Sequence, residues 1–120
     1  MILLGQLHSK ANSRRAVVNW RTGKAMYIKS APALRCVASF KLQAREQWAG
    51  KPLEGPVVLR AHIYYPSRRQ DLDESLLMDI LQGIAYHNDR QIERKIITRG
   101  LDRDNPRVEV EVEPFKALSP

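Results

Sequence analysis

The spacing of apolar residues changes along this chain, and the changes divide it into elements. Val108, Val110 and Val112 alternate with Glu109, Glu111 and Glu113, the period of a strand with one wet face. Val57 to Tyr65 is the strongest strand signal, rich in β-branched and aromatic residues and stopped by Pro66. Met1 to about Leu7 predicts a first strand, Gln91 to about Thr98 an extended segment, and Leu101 to Pro106 a turn. Ala16–Trp20 and Ala25–Lys29 are short strand-like runs. They flank Arg21-Thr22-Gly23-Lys24, whose glycine suits a tight hairpin turn.

Two segments carry the helical period instead. Ala33, Val37, Phe40, Ala44 and Trp48 make one apolar face behind Ser30, an N-cap candidate, and Pro32 in the first turn; Gly50 and Pro52 end it. Leu76, Leu77, Ile80, Leu81 and Ile84 form a second stripe, on a helix predicted to start at Asp73. Strands and helices interleave, with a hairpin opening the pattern and a second hairpin expected to close it. The expected fold is therefore α+β, a mixed β-sheet with two main helices packed on it, rather than a doubly wound parallel sheet. With 120 residues and no linker or repeat, one domain over 1–120 is expected.

Charge adds a direction to this picture. Residues 1–45 contain nine Lys or Arg and no acid, whereas 46–120 contain eleven basic and thirteen acidic residues, a net of −2. A basic segment on one side is the electrostatic footprint of a polyanion such as nucleic acid. The single cysteine, Cys36, excludes a disulfide framework and suits a reducing cytoplasm; in its predicted helix it reads as core filling. The apolar run in Met1–Gln6 is too short for a signal peptide, and no run spans a bilayer, so a soluble cytoplasmic protein without a membrane partner is expected.

The candidate chemistry lies after the best strand. Arg68-Arg69 leads into Asp71 and Asp73 at the mouth of the second helix, and Asp89 follows that helix. Carboxylates in a basic protein suggest a hard divalent ion held against phosphate. Taken alone, Asp-x-Asp at a helix start is also ordinary capping and dipole chemistry, and Asn88-Asp89 is ordinary turn chemistry. His8, His62 and His87 show no zinc spacing, although His87 is near enough in sequence to reach Asp89. No Gly-rich phosphate loop or nucleophile elbow is present.

From Tyr65 to Ile97 the chain resembles the RusA family of Holliday-junction resolvases. The matching features are the basic turn Arg68-Arg69, Asp71 and Asp73, the amphipathic helix to Gly83, and Asn88-Asp89-Arg90-Gln91-Ile92. The resemblance implies a magnesium-dependent (or manganese-dependent) endodeoxyribonuclease of DNA recombination and repair. It implies Asp71, Asp73 and Asp89 as catalytic metal ligands, a four-way DNA junction as substrate, and a homodimer that nicks opposite strands. Arg14, Arg15, Arg21, Lys24, Lys29, Arg68 and Arg69 are the expected DNA-binding residues. The Val108–Val112 strand and the Ala33–Trp48 helix are the candidate dimer interfaces. Three positions depart from the family pattern. Glu74 and Leu77 stand where the family has Asn and Lys, and Asn88 replaces the first of a later acidic pair. Lys95 or a nearby Arg is a candidate replacement for that lysine's charge. The alternatives are a nucleic-acid-binding protein of the same fold without catalysis, or an interaction module for an acidic protein.

Overall fold

The alternation in Val57–Tyr65 produces the strand around which the molecule is organised. In the computed structural model the described residues are 1–9, 14–18, 25–29 and 31–116, with only the backbone described at 14–18 and 25–29. The elements are β1 (Ile2–Leu4), β2 (Arg14–Val18), β3 (Ala25–Lys29), α1 (Ala31–Gln47), β4 (Val57–Tyr65), α2 (Ser75–Leu81), β5 (Ile92–Leu101) and β6 (Arg107–Pro114). A single 3-10 turn, Asp89–Gln91, precedes β5. No described helix is long and apolar enough to cross a membrane.

Val57, Leu59, Ala61, Ile63 and Tyr65 point to one side of β4 and join Leu3, Val108 and Val110 in a single core with Phe40, Ala44, Leu76, Leu77, Ile80 and Leu81. Both helices therefore cover the same side of the sheet, and the α+β architecture is as expected. The apolar sides of α1 and β6, expected as possible interfaces, are buried in this core.

The sheet has four strands in the order β1-β6-β4-β5. β4 and β5 run parallel, linked through α2, while β6 is antiparallel to both β4 and β1. The expected closing hairpin does not form, because β4 lies between β5 and β6. Residues 102–106 cross the end of β4 instead. The Asp102 amide donates to the Tyr65 carbonyl at 2.9 Å, and the Asp102 carboxylate accepts from Arg107 at 2.8 Å and from the Asn105 amide at 3.1 Å. The hydrogen bond from Arg107 holds the Asp102 carboxyl below its usual range. β2 and β3 pair antiparallel in a separate two-stranded sheet, with Val18 opposite Ala25; residues 19–24, where the tight turn was expected, lie outside the described residues.

α1 closes one border of the large sheet. Gln47 accepts from the Ile2 amide and donates to the Ile2 carbonyl, each at 2.7 Å. One helical turn earlier, Gln43 does the same for Leu4, at 2.6 and 2.9 Å. The two amides thus stand where a neighbouring strand would be.

Candidate active site

The segment after β4 is held in place by the residues around it. Asp73 is half-buried, and its backbone amide donates to the Tyr65 hydroxyl at 3.2 Å. One carboxylate oxygen accepts from the Ser75 amide at 2.9 Å and the other from the Ser9 hydroxyl at 3.0 Å. Asp73 therefore satisfies the first amide of α2 from two residues upstream. The helix begins at Ser75 rather than Asp73, and Glu74 occupies the cap position without a side-chain cap bond. Burial, opposed by the Asp73 amide, raises the Tyr65 phenol above its ordinary pKa and keeps it neutral. Arg99 stacks over the Tyr65 ring at 5.7 Å and donates to the Gln70 carbonyl at 2.8 Å. Asp71, between these anchors, is exposed.

Asp89 belongs to the other end of the sheet. It lies in the turn before Ile92, and Ile92 pairs with Val57 at the start of β4. Asp71 and Asp73 follow Tyr65, at the finish of the same strand. Nine residues of strand separate those ends, about 26 Å at ~3.3 Å per residue. Among the described residues no group of three or more His, Cys, Asp or Glu side chains gathers to hold a metal ion. The chain therefore presents Asp71 and Asp73 at one end and Asp89 at the other, and this split set does not by itself fit a divalent ion.

The turn carrying Asp89 is built on Gln91. Its side-chain oxygen accepts from the His87 and Asn88 amides at 2.7 and 3.0 Å. Its side-chain nitrogen donates to the Leu53 and Gly55 carbonyls, each at 2.8 Å. Asn88 accepts in return from the Arg90 amide at 2.9 Å. His87 is exposed and lies 3.8 Å from Glu54.

Leu77, where the resemblance led to the expectation of a lysine, is fully buried in the core. Lys95 on β5 places its ammonium 2.9 Å from Glu74, the residue after Asp73. Arg68 and Arg69 are exposed on the same loop. Arg14, Arg15 and Lys29 fall on the β2–β3 hairpin, where Arg14 pairs with Lys29; Arg21 and Lys24 lie outside the described residues. Sequence reading did not single out Ser9, Tyr65, Gln91 or Arg99 as site-forming residues. Only Gln91 carried a local signal, its place after Asn88-Asp89.

An acidic strand-to-helix loop beside exposed arginines, on an α+β sheet, defines a candidate site for phosphate chemistry. The endodeoxyribonuclease RusA model matches residues 7–113, and the chain belongs to this family. No curated protein matches it.

Proposed function

We propose that this protein is a magnesium-dependent, structure-specific endodeoxyribonuclease that resolves four-way DNA junctions by paired phosphodiester cleavage. The observation that carries the reading is the family match, which spans Asp71, Asp73 and Asp89. Because these residues attach to opposite ends of β4, the metal-binding set is completed between two protomers: Asp71 and Asp73 of one with Asp89 of the partner subunit. Carboxylate oxygens suit Mg2+ or Mn2+, and such an ion supplies charge neutralisation at the phosphate and activation of the attacking water.

The chain's own residues do the remaining work. Tyr65, Ser9 and the Ser75 amide hold Asp73 in one orientation. Lys95, through its contact with Glu74, brings positive charge toward the scissile phosphate. Arg68 and Arg69, with Arg14, Arg15, Arg21, Lys24 and Lys29, bind the DNA backbone and read branched shape rather than base sequence.

The test is a labelled four-way junction incubated with the protein, with and without magnesium. Symmetric nicks that require the metal are expected. Asp73→Asn is expected to abolish cutting while junction binding persists; full activity in that variant removes Asp73 from the mechanism. Binding without cutting by the unaltered protein supports the non-catalytic reading, which the burial of Leu77 favours. Neither binding nor cutting overturns both.

A further inference from the structure

The geometry points to a separate site on the side of the sheet away from both helices: a slot between His62 and Arg60 that takes one unpaired base of a single DNA strand. The inference takes from the reading above only that the family acts on DNA. It uses none of the residues assigned there to cleavage or to junction binding.

The two helices cover one side of the sheet. On the other side β4 presents Val58, Arg60, His62 and Tyr64, which alternate with its core residues. In register with these four, β5 sets Arg94, Ile96, Thr98 and Gly100, and β6 sets Glu113, Glu111, Glu109 and Arg107. Side chains on one face of a strand stand about 6.6 Å apart. Two neighbours that lean away from each other therefore leave room for a flat ring between them.

His62 and Arg60 lean apart in this way. The His62 ring stacks on Tyr64, with centroids 4.5 Å apart. Tyr64 is backed by the Arg107 guanidinium at 3.8 Å, and Arg107 is pinned by the Asp102 carboxylate. Gly100 lets both rings tilt over β5, because a Cβ there would lie 2.6 Å from His62 Nε2 and 2.6 Å from Tyr64 Cδ1. Arg60 is drawn the opposite way by an ion pair with Glu113, which stands across from Val58. Between them lies a hollow of about 480 Å3, bordered by Ile96 and Thr98 on β5 and by Glu109 and Glu111 on β6. Small-molecule sites run from about 300 to 1,000 Å3.

The lining selects the occupant. Tyr64 takes one flat side of His62 and does not border the hollow, so the other flat side faces it. Bases stack on such faces, and an arginine plane completes the sandwich. Among the described residues no hydrogen bond or ion pair engages Glu109 or Glu111. Carboxylates accept from the amino groups of cytosine, adenine and guanine, and thymine has none. The acids line β6 and Arg94 lies on β5, so the base edge turns toward β6 and the phosphates toward β5. A second hollow of about 410 Å3 shares Arg60 and adds Arg94, Phe115 and Lys116, which gives the next nucleotide a place. That continuity favours a strand over a lone nucleotide. The bases of an intact duplex are already paired and stacked, and do not enter.

The test is titration of the full chain with single-stranded hexamers of deoxycytidine and of thymidine, in EDTA, with the His62 ring protons followed by NMR. The deoxycytidine hexamer should move those resonances upfield and bind at least about tenfold more tightly than dCMP. The thymidine hexamer should bind about tenfold more weakly than the deoxycytidine hexamer. His62→Phe, which keeps a ring, should bind within about threefold of the unaltered chain, and His62→Leu should lose at least about tenfold. Glu109→Gln with Glu111→Gln should bring the two hexamers within about threefold of each other. If His62→Leu fails to fold, Arg60→Ala removes the other wall and should weaken binding instead. No shift at His62, equal binding of the two hexamers, dCMP binding as well as the hexamer, or full affinity after loss of either wall overturns the proposal. EDTA keeps metal-dependent cleavage out of the measurement, so failure of this site and failure of the nuclease assay are separate results.

Discussion

At the scale of the residue, Leu77 is fully buried in the hydrophobic core, where a charged amine without a partner would cost several kcal/mol. Lys95 reaches the start of α2 from a neighbouring strand. Lys95→Met is therefore expected to lower the cleavage rate by about 10²-fold, with junction affinity changed only a few-fold, in single-turnover assays. Asp71, Asp73 and Asp89 are candidates because a motif marks them, but no local pattern shows that Asp89 lies at the other end of β4. Ser9 was not legible, because it reaches Asp73 across 64 residues of chain and no local pattern announces such a contact. Tyr86 offers a pH test. It is buried, and its hydroxyl donates to the Met78 carbonyl at 2.6 Å. Burial first, then the negative charges of Asp89 and Asp79, push its pKa well above the ordinary value of 10.0. Tyr65 is raised as well. A raised folded-state pKa gives stability that is complete below the unfolded value and lost as pH climbs through the folded one. Urea melts should therefore show stability dropping above about pH 10. Tyr86→Phe should flatten that drop while costing about 1 kcal/mol at neutral pH.

At the scale of the element, periodicity predicted β4, β6 and α1 well, since each has one side in the core and one in water. It failed for the pairing of β5 with β6. Nothing in the alternation of either strand reveals that residues 102–106 step over the end of β4, because the bond from the Asp102 amide to the Tyr65 carbonyl is long-range. The start of α2 was misplaced by two residues for a local reason: the Asp73 side chain bonds the Ser75 amide from outside the helix. The turn before β5 depends on one side chain. Gln91 satisfies four backbone groups, so Gln91→Ala should destabilise the fold by roughly 2 kcal/mol in chemical denaturation. Gln91→Glu should not rescue it, because an oxygen would then face the Leu53 and Gly55 carbonyls.

At the scale of the whole molecule, charge and shape are both unevenly distributed. The radius of gyration is 16.1 Å, against about 14 Å for a compact chain of this length. The β2–β3 sheet, separate from the main one, carries Arg14, Arg15 and Lys29 on its strands. If these and the loop arginines contact phosphates, junction affinity should fall roughly 10³-fold between about 50 and 200 mM salt. Arg14→Ala with Arg15→Ala should reduce the slope of log affinity against log salt by about two, measured by fluorescence anisotropy. An affinity indifferent to salt would contradict phosphate-led binding.

The glutamine pair on α1 has one more effect. A ribbon stoppered along one margin can lengthen only from the other. Gln43 and Gln47 thereby close the β1 margin to a further strand, and open-ended stacking of the kind that leads to fibres needs both margins free.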